Sequence, residues 1–313
     1  MRVLVTGGAG FIGSHVVRGA LEAGFEVGVL DNFSTGKPEN LPTGVRVFAA
    51  DLRDRDATFR AVADFEPQLL SHHAAQASVP GSMRDPRFDA EVNIIGGLNL
   101  LDACIAPSSG VRHLVFASTG GAIYGEVPDA ERAAESFRLE PKSPYGISKL
   151  TFERLLPIYR EQHGLATTVL RYANVYGPRQ DPNGEAGVIA IFFDSALAHK
   201  NLTVFAKRAL GDGGCIRDYV YVGDAARANL QAMTGQLPHA IMNVGSGRPT
   251  TTLELAQNIL RLTGSRGSIE QGAVRAGDIE RSLLDASRFE QTLGPPTSLE
   301  VGLTETARWY RER

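Results

Sequence analysis

The sequence has only two cysteines, Cys104 and Cys215, and no Cys-x-x-Cys pair. A disulfide scaffold and a cysteine-rich zinc site are thereby excluded, and no metal is expected. Positive charge is not in excess: 32 Lys and Arg stand against 35 Asp and Glu, a formal net charge of -3. That excludes a strongly basic nucleic-acid binder. No apolar run reaches the ~18 residues of a membrane span. Met1 to Gly8 pass from a short apolar run straight into glycines, so no signal peptide is expected. Internal repeats and low-complexity tracts are absent. What is there, 313 residues with 43% hydrophobic and 21% charged, is ordinary globular composition. The length allows about two domains. The expectation is a soluble cytoplasmic protein with no nucleic-acid and no membrane partner.

The first half alternates strand-like and helix-like segments. Val3-Leu4-Val5 is a continuous apolar run, as expected of a strand buried on both faces. Ile12, Val16 and Ala20 then mark one helix face. Further strands are read at 27–30, 45–48, 68–71, 114–116 and 168–170. A long amphipathic helix starts near Pro86, and another runs from about Ser143 to Gly164. This alternation implies right-handed βαβ units and a doubly wound parallel sheet, an α/β protein. After about Val175 the pattern changes, with Gly177, Pro178, Pro182, Gly184 and Gly187 lengthening the loops. Helices are expected near 187–199, 251–262 and 299–311. The expected division is a nucleotide-binding domain over 1–175 and a smaller, mainly substrate-binding α/β domain over 176–313. The strand-helix unit Tyr219–Met233, within 219–245, is expected to return to the main sheet.

Thr6-Gly7-Gly8-Ala9-Gly10-Phe11-Ile12-Gly13 follows the first strand and opens the first helix. Side chains at Gly7, Gly10 and Gly13 would block backbone approach to a pyrophosphate. The helix N-terminus offers free N–H groups and partial positive charge. A strand before and a helix after supply the confirming context for a Rossmann-type dinucleotide site. Asp31 closes the second strand, where a carboxylate accepts from ribose hydroxyls and repels a 2′-phosphate. Its neighbours Asn32, Phe33 and Ser34 bring no arginine, so NAD is favoured over NADP, with Asn32 and Ser34 assigned beside it. Ser34-Thr35-Gly36-Lys37 only imitates a phosphate loop, since Pro38 stands where Ser or Thr is required.

Tyr145 and Lys149, in Pro144-Tyr145-Gly146-Ile147-Ser148-Lys149, lie one helical turn apart on one face. A free tyrosine, pKa ~10, is a poor base at neutral pH. A neighbouring ammonium favours its phenolate, and such a pair removes a hydroxyl proton while a hydride leaves the same carbon. Phe116 to Gly125 run off the carboxyl end of the fifth strand, where ligand-contacting groups gather in such sheets. Ser118 and Thr119 are the hydroxyls there that can bond a substrate.

With its TGGAGFIG loop, Tyr-x-x-x-Lys pair and STGGAIYG segment, the chain resembles the extended short-chain dehydrogenase/reductase superfamily. More narrowly, it resembles the NAD-dependent epimerase/dehydratase group acting on nucleotide sugars. Further matching segments are His72 to Gln76, Asn93, Leu170 to Pro178, Arg217-Asp218-Tyr219 and Arg275-Ala276-Gly277-Asp278. The resemblance puts a catalytic triad on Thr119, Tyr145 and Lys149, with Ser118 competing for the first role. It puts Phe11 and Ile12 at the pyrophosphate and Asp51 and Leu52 beside the adenine. Ala74, Ala75, Asn93, Ser118 and Tyr172 also go to the cofactor. Asn174, Val188, Arg217, Arg275 and Asp278 are implied to hold a UDP-sugar, the arginines clamping its diphosphate. A homodimer is implied too, through the helix containing Asn93 and the helix after Tyr145.

Dehydratases of this family carry an Asp-Glu pair directly after the triad threonine, where this chain has Gly120 and Gly121. Uronate decarboxylases usually carry a glutamate in that region, and none precedes Glu126. Without those acids, removal and return of a hydride remain, which is epimerisation at C4 through a transient 4-keto sugar. The substrates implied are UDP-glucose and UDP-galactose. Other readings are a 4,6-dehydratase, a uronate epimerase or decarboxylase, and a non-catalytic NAD-binding scaffold. In resembling epimerases a position shortly after Arg-x-Gly-Asp walls the sugar's C2 substituent. Four residues beyond Asp278 stands Ser282, small enough to admit N-acetyl sugars, with Arg281 able to fold over the space. The link Phe205–Asp212 is longer than the family's usual turn.

Overall fold

The computed structural model describes residues 1–183, 187–275 and 277–313. Gly184 and Ala276, quoted above within larger segments, lie outside the described residues.

Along the chain run β1 (Arg2–Thr6), α1 (Phe11–Glu22), β2 (Glu26–Asp31), β3 (Arg46–Ala49), α2 (Arg55–Phe65), β4 (Leu69–His72), α3 (Val79–Arg84) and α4 (Pro86–Ala90). A π-turn (Glu91–Ile95) joins α4 to α5 (Gly96–Ile105). Then come β5 (His113–Thr119), α6 (Gly120–Ile123), α7 (Pro144–His163), β6 (Ala166–Tyr172), β7 (Asn174–Tyr176), α8 (Val188–Leu197), β8 (Leu202–Phe205), β9 (Ile216–Arg217) and β10 (Tyr219–Tyr221). The chain ends with α9 (Val222–Met233), β11 (Ile241–Val244), β12 (Thr250–Thr251), α10 (Thr252–Thr263), β13 (Ile269–Gly272), β14 (Arg281–Ser282), α11 (Ser287–Leu293) and α12 (Leu299–Glu312).

The chain forms two compact units. The first comprises Met1–Ile123, Pro141–Arg171 and Ala225–Met242. The second comprises Tyr124–Glu140, Tyr172–Asp224 and Asn243–Arg313. The main sheet has seven strands in the order β11-β6-β5-β4-β1-β2-β3. Strand β1 is parallel to both neighbours, Val5 pairing with Val29 on one side and Ser71 on the other. Its apolar run is fully buried, as a strand covered on both faces must be. The core of this unit gathers Leu4, Leu30, Leu70, Leu100, Phe116 and Phe152.

Helix α7 shows why local sequence and fold agree. Ser143 caps it by accepting from Gly146 N–H, Pro144 occupies the first turn, and Gly164 ends it with φ 71°. The long helix expected from Pro86 is instead interrupted by the π-turn, of which its apolar spacing, unbroken through the interruption, gives no sign. Strand β10 also departs from expectation. It pairs in parallel with β7, not with the main sheet, and β11 supplies the seventh strand.

The second unit holds small sheets: β10 with β7, β12-β9-β14, and β13 with β8. Its core packs Tyr176, Phe193, Leu255 and Leu303 among α8, α10 and α12.

Candidate active site

In the first unit, the glycine loop passes from β1 to α1. Gly7 has φ +68°, and a Cβ there would lie 2.6 Å from the Ala74 nitrogen. A Cβ on Gly13 would lie 2.1 Å from the Gly7 carbonyl oxygen. Both positions therefore require glycine. No side chain caps α1 at Gly10, so its first-turn N–H groups stay open for an anion. Phe11 and Ile12 form that turn. Asp31 is buried and accepts from Ala9 N–H at 2.9 Å and Phe33 N–H at 2.8 Å. Burial pushes its carboxyl up. Two backbone donors leave acceptor positions on the carboxylate for a ribose diol. The cradle thus fits a dinucleotide.

Asn32 donates to Asp51 at 2.8 Å and accepts from Ser34 N–H at 3.0 Å. Arg53 pairs with Asp51 at 2.9 Å and, through its hydrogen bond, holds that carboxyl down to about 2. Leu52 packs its side chain in the core, while its carbonyl accepts from Asn99 at 2.9 Å. Ala74 and Ala75 are half-buried beyond β4, where Ala74 N–H donates to Thr6 Oγ1 at 3.2 Å. Asn93 is held by its own protein partners. Its amide accepts from Gln76 N–H and donates to Gln76 O, both at 2.9 Å, and donates to Asp89 at 3.1 Å. An amide so engaged fixes the loop after β4.

At the carboxyl end of β5, the structure separates the two hydroxyl candidates. Ser118 Oγ donates to Glu153 Oε1 at 2.5 Å inside the protein. Ser118 is thus corrected from a ligand contact to an internal one. Thr119, the next residue on the strand, points to the opposite face. Lys149, 4% exposed, donates to the Ala117 carbonyl at 3.0 Å and lies over the Phe116 ring at 4.8 Å. Tyr145 is half-buried one turn earlier on α7. Gly146 between them is buried, and a Cβ there would lie 2.8 Å from the Ala122 carbonyl oxygen. This close approach brings α6, with Gly120 and Gly121, against α7.

In the second unit, Arg217 on β9 and Ser282 on β14 are register partners. Asn174 N–H donates to the Asp218 carbonyl at 3.0 Å, joining β7 to the strand beside Arg217. Asp218 is buried and accepts from Ser246 N–H and Oγ and from Gly247 N–H, while burial pushes its carboxyl up. Tyr172 is 5% exposed at the end of β6. Val188 opens α8, which no side chain caps. The Arg275 guanidinium stacks 3.5 Å from the Phe205 ring centroid. Asp278 is exposed, on the stretch between β13 and β14. In the Phe205–Asp212 link, Asp212 accepts from the N–H groups of Lys207 and Ala209, which orders the turn.

Arg281 does not fold over the space beside Ser282. It is 7% exposed, and its Nη1 donates to the carbonyls of Val127, Pro128 and Glu131. Glu126 accepts from the N–H groups of Glu280 and Arg281 at 2.6 and 3.1 Å, anchoring the same strand. Sequence reasoning passed over Glu126, Asp89 and Glu153. For Glu153 the signal was present: it follows Lys149 at the spacing by which Lys149 follows Tyr145. Among the described residues, no group of three or more His, Cys, Asp or Glu side chains could hold a metal ion.

Residues 3–245 match the sequence profile of the NAD-dependent epimerase/dehydratase family. The chain is 40% identical over 320 residues to the UDP-glucose 4-epimerase of Mycolicibacterium smegmatis, covering 100% of this chain and 99% of that one. The crystal structure of the Thermus thermophilus UDP-glucose 4-epimerase complex with NAD matches with TM-score 0.93 and 50% identity, covering 99% of each chain. That of the Thermotoga maritima UDP-glucose 4-epimerase with UDP-glucose matches with TM-score 0.92 and 44% identity, covering 100% of this chain and 99% of that one.

Proposed function

The chain belongs to the NAD-dependent epimerase/dehydratase family, and on that premise we propose that it epimerises C4 of a UDP-sugar, interconverting UDP-glucose and UDP-galactose. One observation carries this reading. Tyr145 and Lys149 share a face of α7 against the end of β5, and the residues after Thr119 there are glycines, not acids. The C5 proton has no local base to take it and the C6 hydroxyl no local acid to help it leave, so chemistry stops at C4.

Bound in the glycine cradle and at Asp31, NAD supplies the acceptor and donor of the C4 hydride. The protein's own residues handle the rest. Tyr145, as phenolate, takes the proton from O4, and Lys149 favours that charged form. Thr119 hydrogen-bonds the same oxygen. Tyr145 returns the proton once the sugar has turned about its diphosphate linkage. Such turning requires a loosely held hexose and a firmly held nucleotide. Asn174, Arg217, Arg275, Asp278 and the open N-terminus of α8 at Val188 supply the nucleotide's partners.

NMR of the purified protein with UDP-glucose in deuterated water tests the reading. The expected outcome is UDP-galactose with no deuterium at C5. Loss of water to a 4-keto-6-deoxy product would indicate a dehydratase. Bound NAD with no C4 exchange on any UDP-sugar would indicate a scaffold. Tyr145→Phe should lower turnover by roughly 10²–10⁴-fold with cofactor still bound, measured by a coupled galactose assay.

The active form is a homodimer. Met83, Phe88, Ile95, Ile147 and Ile158 are large apolar side chains, each at least 40% exposed. They lie on α3, α4, the π-turn and α7, which pack together. A second copy would remove them from water.

A further inference from the structure

The residue pair Glu153–Arg171 is the most deeply buried ion pair among those described, with both side chains 3% exposed. Arg171 Nε donates to both Glu153 oxygens at 3.1 and 3.2 Å, and Nη2 donates to Oε2 at 2.6 Å. Ser118 Oγ completes the set on Oε1. For stability alone, a well-packed apolar pair serves as well as a buried ion pair. Position suggests a different use. Glu153 stands one turn beyond Lys149 and two beyond Tyr145 on α7. Ser118 precedes Thr119 on β5, so holding one side chain inward turns the other outward. Lys149 grips the adjacent carbonyl, that of Ala117.

We propose that Glu153, Arg171 and Ser118 form a positioning unit for the catalytic triad. Through Ser118 it fixes the face that Thr119 presents. Through Arg171 it neutralises a carboxylate one turn from Lys149, leaving the ammonium's field for Tyr145. This rests on Tyr145 being the base, as proposed above.

The charges around Lys149 come from several elements. His72 on β4 and His73 just after it stay neutral above pH 6.5, since burial lowers both. Asp89, on α4, meets α7 through Ser148 Oγ at 2.5 Å. Glu153 and Arg171 follow on α7 and β6, and of these charged groups they are the two altered in the test.

The test is the pH profile of kcat in NAD-loaded protein. Arg171→Met leaves the carboxylate unmatched and should move the acid limb up by about one pH unit. Glu153→Gln leaves the guanidinium unmatched and should move it down. The double variant Glu153→Met/Arg171→Met should return it to the wild-type position. Either single variant suffices if the other does not fold. A limb that stays in place in the single variants, or stays displaced in the double, overturns the proposal. A second arm uses Ser118→Ala. It should lower kcat about tenfold with KM unchanged in the wild-type background, and have no further effect in the double variant. An equal loss in both backgrounds means Ser118 touches substrate itself and overturns the positioning role. Tyr145→Phe separates the two levels. A limb that survives it overturns both the proposed function and this inference. A limb that depends on Tyr145 but ignores Arg171 and Glu153 overturns this inference alone.

Discussion

At Ser282 we propose that one side chain sets substrate size. It is 3% exposed, on a strand tied to Arg217 by register and to Glu126 and the Val127–Glu131 carbonyls through its neighbours. A side chain so anchored cannot retreat to admit a larger group. The small serine should let the protein act on UDP-N-acetylglucosamine as well as UDP-glucose. Ser282→Tyr should cut the N-acetyl activity by at least about tenfold and spare the other, on the scale of a lost apolar fit. Parallel assays on both sugars check this, and an unchanged ratio would remove Ser282 from the pocket.

Protons are also handled residue by residue. Burial lowers His73 from 6.5 to about 4, and His72 falls well below 6.5 for the same reason. Between those values the unfolded chain binds protons that the folded chain refuses, so stability falls as pH falls from 6.5 towards 4. Each such histidine contributes a slope of up to ~1.4 kcal/mol per pH unit. Urea midpoints at pH 7, 6, 5 and 4.5 should decline, and His73→Gln should flatten the decline. An equally steep curve in the variant would assign the loss elsewhere.

Among the elements, legibility followed the range of the forces involved. Strand β1 and helix α7 are written in contiguous residues: an apolar run in one case, Ser143, Pro144 and Gly164 in the other. The glycine loop is legible for the same reason, since its backbone demands are local. The π-turn is not, because what holds it is a contact across the chain. Asn93 lies within it and bonds Gln76, in the loop after β4. Likewise, the spacing of Glu153 after Lys149 is visible, but its inward direction depends on Arg171, supplied by a different strand. Which of Ser118 and Thr119 faces outward depends on that same distant arginine. Asn93→Ala should therefore destabilise the fold by about 1–3 kcal/mol, because Gln76 N–H and Asp89 lose a buried partner. Equilibrium unfolding in urea measures it; a loss below about 0.5 kcal/mol would mean that water replaces the amide.

For the whole molecule, the exposed apolar side chains on α3, α4, the π-turn and α7 are the face we propose a second copy covers. Ile147 is 53% and Ile158 54% exposed, on the helix that carries Tyr145. Charge at the centre of an apolar interface is strongly disfavoured. Ile147→Glu/Ile158→Glu should convert a dimer into a monomer in sedimentation at micromolar concentration. Because Tyr145 belongs to the same helix, kcat should fall as assembly is lost. A wild-type monomer would refute the dimer outright.

The two units alternate along the chain, three segments each, and this constrains biosynthesis. Strand β6 ends at Tyr172, while its sheet neighbour β11 starts only at Ile241. A ribosome adding ~5–20 residues per second leaves roughly 3–14 s between them. During that interval β6 is an unpaired sheet edge, open to strands of other nascent chains. The first unit is consequently not a contiguous stretch of gene. It cannot be cut out at one end or passed intact to another protein by a simple fusion, and its inheritance is bound to that of the unit threaded through it.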